Sequence, residues 1–308
     1  NNFYNVSPSL SPDGSMVAVL SDQNGYFDIN ILDAMTGEKN KKLIKGNRGV
    51  DFEELKWLQP GLSWSPDSKK IVFAAKAGKG DVLHVVEVET GKGEKYELDI
   101  EGVFSASWSP LGNEIAYVGQ SGNSSDIYIF DLNTQISKKI TNDIFSDSYP
   151  TWSGDGKNIA FVSDRGNEIS GAYDGFMYEH DYSQTDIYLV NVETKKIDRV
   201  TNTYHNESHP VWSKTSDNIF YTSDHNGVWN LYRHPLSGSE DSEPIPVTNV
   251  LTGLQQPTIS GDDRLLIFAG YSGIGWDLYS MANPLTLKKQ TVNPTQFILK
   301  GKTEDESI

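Results

Sequence analysis

One tight-turn signature recurs along the chain and limits its fold more than any other feature. It reads Leu10-Ser11-Pro12-Asp13-Gly14, Trp64-Ser65-Pro66-Asp67-Ser68, Trp108-Ser109-Pro110-Leu111-Gly112 and Trp152-Ser153-Gly154-Asp155-Gly156. Two looser copies follow at Trp212-Ser213 and Ile259-Ser260. After each turn comes a short apolar run such as 159–162, then a polar turn, an alternating run such as 186–190, a second turn, and a poorer outer run such as 138–141. Short alternating runs bounded by Asp, Gly, Ser and Pro are antiparallel strands, so each unit is a four-stranded meander.

One such sheet cannot cover both its faces alone, and radial stacking of several covers them all. The expected fold is therefore all-β, a six-bladed β-propeller of four-stranded antiparallel blades, with Trp or an aliphatic substitute between neighbouring sheets. The anchor serines are spaced by 54, 44, 44, 60 and 47 residues. With 44 residues as the smallest unit and 29 residues of insertion, six blades take 293 of the 308 residues and leave no room for a seventh. The expected blades are 5–58, 59–102, 103–146, 147–206, 207–253 and 254–297, one domain that reads as excised from a longer protein.

Composition removes several functions. The net charge is −16, and only five arginines are scattered along the chain. Gripping nucleic acid by counterion release needs clustered cations, so nucleic acid is not an expected partner. The absence of cysteine excludes disulfides, thiolate zinc sites and cysteine nucleophiles. No apolar run reaches the ~18 residues of a membrane helix. Gly-x-Ser-x-Gly is absent as well, which removes a complete serine hydrolase from these residues.

The anchors, together with Ile-Ala-Phe-Val-Ser-Asp-Arg (159–165) and Asp-Ile-Tyr-Leu-Val (186–190), resemble the TolB-type propeller repeat over about residues 5–292. That family includes a periplasmic protein whose propeller binds a peptidoglycan-associated lipoprotein. Similar repeats form the lids of prolyl-oligopeptidase-like enzymes. The resemblance implies a periplasmic or extracellular location in the bacterial envelope and a protein or peptide partner. The alternatives are a substrate-gating lid or accessory domain of a hydrolase, or a propeller enzyme acting on peptide or polysaccharide.

The first strand of each blade lines the central channel, so counting back from the anchor residues Leu10, Trp64, Trp108, Trp152, Trp212 and Ile259 finds residues facing it. Three positions earlier stand Ser7, Gly61, Ser105, Tyr149, His209 and Gln256; two further back, Asp147 and Glu207 are the acidic members. Blade four has a long connection between Asp164 and Asp186, carrying Tyr173, Asp174, Glu179, His180, Asp181 and Tyr182. A second insertion falls around 47–60. Both leave the face where the first strands begin, and loops on a rigid scaffold usually carry binding. The same loop would also serve simply to cover a blade edge.

The expected partner site is therefore Ser105, Asp147, Tyr149, Glu207, His209 and Gln256, overhung by Tyr173, Asp174, His180 and Tyr182. Asp147 and Glu207 are expected to flank His209 and favour its protonated form. His205, Glu207 and His209 form a His-x-Glu-x-His pattern with ligands suited to zinc, but a solvated loop with one channel-facing histidine is the preferred reading of so short a motif. The acidic stretch 142–147 offers oxygen ligands for calcium, without the twelve-residue loop pattern of a dedicated site. No catalytic residue and no cofactor is assigned.

Overall fold

The computed structural model describes residues 3–46, 54–56, 59, 61–78, 80–122, 124–168, 180–237, 243–273 and 275–296. The first blade comprises β1 (Asn5–Leu10), β2 (Met16–Ser21), β3 (Asp28–Asp33) and β4 (Lys39–Ile44). In the second, β5 (Glu54–Leu55) and β6 (Ser63–Trp64) both pair with β7 (Lys70–Ala77), followed by β8 (Gly80–Glu87) and β9 (Gly93–Glu97). The third holds β10 (Gly102–Trp108), β11 (Glu114–Ser121), β12 (Ser124–Asp131) and β13 (Ile136–Lys139). The fourth holds β14 (Asp147–Trp152), β15 (Asn158–Ser163), β16 (Asp186–Asn191) and β17 (Ile197–Arg199). The fifth holds β18 (Glu207–Trp212), β19 (Asn218–Ser223), β20 (Asn230–Pro235) and β21 (Ile245–Pro246). Among the described residues the sixth has β22 (Leu254–Ile259), β23 (Leu265–Ser272) and β24 (Gly275–Ala282) and no fourth strand.

The structure is a six-bladed propeller, with one correction to the expected four strands per blade. In blades one, three and four the residue ending the third strand is Asp33, Asp131 or Asn191. Its side-chain oxygen accepts from backbone N–H groups of the following turn and folds it into a hairpin. Ala282 occupies that place in blade six and has no such oxygen. The chain instead enters a 3₁₀ turn at Pro284–Thr286. It then runs beside blade five, where Gln290 N–H donates to the Pro246 carbonyl at 2.8 Å and Thr295 N–H to Asn226 at 2.9 Å.

The signature turns are built alike. The Ser11 hydroxyl donates to Asp13 at 2.6 Å and accepts from Met16 N–H at 2.9 Å. The same bonds recur around Ser65, Ser153 and Ser260. The turn at Ser213 has no acid of its own, and Asp263 of the next blade takes the part. It accepts from the Ser213 hydroxyl at 2.6 Å and from the N–H groups of Lys214 and Thr215, both at 2.8 Å. The sixth blade thus completes the signature turn of the fifth across a blade boundary.

One apolar cluster lies at each blade interface and holds one anchor: Trp64, Trp108, Trp152, Trp212, Ile259 and Leu10 in turn. Burying a tryptophan removes ~200 Å² from water, about 5 kcal/mol of transfer free energy. The indole N–H groups also tie blades together: Trp64 donates to the Ser9 carbonyl at 2.8 Å and Trp152 to that of Ser107 at 3.1 Å. The ring closes without exchanging a strand, since blade one and blade six are each continuous in sequence. Gly261 N–H donates to the Pro12 carbonyl at 2.8 Å, Ser7 N–H to Gln256 Oε1 at 2.7 Å, and Leu10 N–H to Thr258 Oγ1 at 3.0 Å.

Candidate functional site

The six positions three residues before the anchors share one backbone conformation. The φ angles are +53° at Ser7, +60° at Gly61, +49° at Ser105, +51° at Tyr149, +49° at His209 and +56° at Gln256. In five blades the strand register slips at this point, so that two residues oppose one on the neighbouring strand, as Tyr149 and Pro150 do between the pairs Ser148–Val162 and Thr151–Ala160. This is a β-bulge with a left-handed first residue, a place normally taken by glycine. Four of the second residues are proline, which has no N–H to lose there. Holding five non-glycine residues left-handed costs on the order of 1–2 kcal/mol each. Strain of this kind gathers where side chains must be aimed at a ligand.

A cavity of about 400 Å³ runs from this ring to the signature turns, between Tyr149, His209 and Gln256 on one side and Pro12, Pro66 and Lys214 on the other. Trp64, Trp108 and Trp152 also border it. The Tyr149 and His209 rings lie 4.3 Å apart, and the Gln59 side chain hydrogen-bonds the Tyr149 hydroxyl. The hydroxyls of Ser7 and Ser105 and Nδ1 of His209 are buried and have no hydrogen-bond partner among the described residues. A buried polar atom without a partner is costly unless something arrives to bond it. Burial pushes the His209 imidazole down to about 4, so it is neutral at physiological pH.

The described lining contains no Asp or Glu, in a chain with 42 of them, and its one lysine or arginine is Lys214. Asp147 and Glu207 therefore do not flank His209 as expected. A spacing of two would place them on its side of a regular strand, but the bulge re-aims the side chain. Asp147 instead receives Arg165 at 2.6 Å, and Arg165 also binds Asp143 at 2.9 Å, with both guanidinium and carboxylates buried. Glu207 Oε1 accepts from the Thr203 and Ser223 hydroxyls at 2.9 and 3.1 Å. The His205 ring faces His225 at 4.4 Å. The His205, Glu207 and His209 side chains are thus not gathered, and no metal-holding cluster occurs among the described residues.

His180 lies 3.6 Å from Asp164, against Phe145 and Tyr182, on the face away from the cavity. Tyr173 and Asp174 lie outside the described residues. What the counting missed was the other half of the site: the prolines and tryptophans after the ring, and Lys214. The signal was present in Ser7-Pro8, Tyr149-Pro150, His209-Pro210 and Gln256-Pro257, four X-Pro pairs in register with the anchors.

Residues 56–170 match the TolB beta propeller domain. Over those residues, little more than a third of the chain, the repeat matches the TolB type. TolB from Acinetobacter baumannii superposes with a TM-score of 0.64 at 18% identity, over 92% of this chain and 61% of that one. This chain therefore spans less than two thirds of that protein. A putative TolB from Agrobacterium tumefaciens gives a TM-score of 0.65 at 17% identity, over 91% and 90% of the two chains. The propeller domain of the Trilobed protease from Pyrococcus furiosus, described as having an open velcro topology, gives 0.55 at 16% identity over 90% and 95%. No curated protein sequence matches the chain. Among the described residues no helix is long and apolar enough to cross a membrane.

Glu207 has a measurable consequence of its own. It is buried with no cation beside it among the described residues, and burial raises its carboxyl to about 8. Its unfolded value is near ~4.3, so the folded state holds a proton that the unfolded state has lost. The stabilisation is complete below the unfolded value and disappears as pH rises through about 8. Urea unfolding is expected to show stability falling by up to ~1.4 kcal/mol per pH unit across that window. Glu207→Gln should flatten this slope; an unchanged slope would assign the dependence elsewhere.

Proposed function

We propose that the chain is a non-catalytic binding module of the bacterial envelope, periplasmic or extracellular, whose funnel holds an extended segment of a partner protein. The observation that carries this reading is the character of the funnel. Indole and pyrrolidine walls, unpartnered hydroxyls at the ring, Lys214 as the lone formal charge and no carboxylate fit a peptide of neutral or acidic character. The TolB-type repeat supports a protein partner over a small molecule. The site residues are Ser7, Ser105, Tyr149, His209, Gln256 and Lys214. Asp147 and Glu207 serve the scaffold beneath them.

The test is fluorescence titration with matched extended peptides, one rich in Asp and Glu and one rich in Lys. Three of the seven tryptophans border the cavity and report its filling. The acidic peptide should bind at least tenfold more tightly, with an affinity steady from pH 6 to 8 because His209 stays neutral there. Equal binding of the two, or turnover of either peptide, would overturn the reading.

A further inference from the structure

Among the described residues, blade six lacks a strand that the other blades show how to specify. The third strands of blades one, three and four carry Asp28, Asp126 and Asp186, each paired with a cation on strand four: Lys42, Lys139 at 2.8 Å and Arg199 at 2.6 Å. Just beyond strand four, Thr141, Thr201 and Thr248 accept through Oγ1 from the N–H groups of Ile127, Ile187 and Leu231 at 2.8–2.9 Å. In blades three and four the cation precedes the threonine by two residues.

In blade six the corresponding residues are Asp277 and Leu278, as the strand register shows. Asp277 accepts only from Ser272 at 3.0 Å and Asn5 at 3.5 Å, with no cation among the described residues. Leu278 is half-buried where Ile127, Ile187 and Leu231 are fully buried. Strand alternation turns the N–H and C=O groups of Leu278 and Ser280 outward, toward the side where the other blades have strand four. Tyr279, on β24 itself, is 43% exposed. Tyr279 corresponds to Tyr128, over whose ring Lys139 lies at 5.7 Å.

We propose that the outer edge of β24 is a docking site for an extended strand of a partner protein carrying Lys or Arg followed two positions later by Thr or Ser. The backbone pairs with Leu278 and Ser280, the cation sits between Asp277 and Tyr279, and the hydroxyl oxygen accepts from Leu278 N–H. This is strand addition to an exposed sheet edge. The chain's own Lys288–Gln290 region is held elsewhere, by the bond to Pro246 and by Leu285 and Leu287 in the cluster between blades five and six. A second copy offers β24 itself, which has no basic residue and would add a carboxylate to a carboxylate. The site is separate from the funnel and independent of the reading given to it.

The probe is the peptide Ile-Ser-Lys-Lys-Ile-Thr-Asn, the sequence of residues 136–142, added to the whole chain. Amide hydrogen exchange at Leu278 and Ser280 should slow at least tenfold at saturation. Replacing the second lysine of the peptide with Glu should weaken binding at least tenfold, and Asp277→Lys should restore it. Ser280→Pro removes only an outward N–H and should abolish binding while thermal unfolding stays cooperative. Protection absent from β24, or binding indifferent to both charge changes, would overturn the proposal. So would concentration-dependent dimers that protect β24 without peptide, which would make a second copy the occupant.

Discussion

Arg165→Leu is expected to lower the unfolding free energy by roughly 3–5 kcal/mol. The guanidinium is fully buried and bonds Asp147, Asp143 and, through Nε, the Ser163 hydroxyl at 3.0 Å. It also lies within 6 Å of the rings of Phe145, Phe161 and Tyr188. Removing it leaves two carboxylates buried without a counter-charge, where the desolvation cost is no longer offset. Burial already pushes Asp147 up to about 6 with Arg165 present, so its carboxyl should move higher still in the variant. A carboxyl whose folded value is raised loses stabilisation as pH increases. The deficit should therefore be smaller at pH 5 than at pH 8. Paired urea curves at the two values check this, and a deficit below 1 kcal/mol at both would contradict the buried cluster.

Gly61→Ala is expected to destabilise by about 3 kcal/mol, at the upper end of what overpacking usually costs. A Cβ at this position would stand 1.9 Å from the Ala106 nitrogen and 2.3 Å from the Ser105 carbonyl carbon. Those are backbone atoms of the next blade and cannot rotate away. Relief requires separating blades two and three where Ser105 N–H donates to the Gln59 carbonyl at 2.9 Å. The ring would open at one side, and the funnel with it. Thermal unfolding of the variant, with peptide titration on what remains folded, should show both losses. The same substitution at the exposed Gly37, which has no neighbour within 4 Å, should cost only the left-handed strain of about 1–2 kcal/mol that both positions share.

The blade count was legible because Trp64, Trp108 and Trp152 mark blade interfaces and Ser-x-Asp marks the turn that follows. Counting back from the anchors also found the six left-handed positions, because every blade repeats the same bulge. Asp147 and Glu207 were misjudged because the bulge breaks the alternation on which such counting relies. Ala282 stands where blades one, three and four have an oxygen to cap the turn, but Pro235 of blade five lacks that oxygen too and is followed by a fourth strand, so the missing strand was not legible in that one side chain. Asp263 serving the turn at Ser213 depends on two turns meeting in space, which spacing along the chain does not show. The fold is thus carried by repetition, and function by departures from it.

The funnel as a peptide site is tested most directly by reversing its one charge. Lys214 stands on the turn that Asp263 completes, and burial of its ammonium lowers its pKa, so cooperative unfolding of Lys214→Glu is checked before binding is compared. Fluorescence titration of the natural chain and the variant with the acidic and basic peptides should show the preference inverted, with at least a tenfold change for each peptide. Retention of the original preference by a folded Lys214→Glu protein would show that the peptides bind elsewhere and contradict the assignment of the funnel.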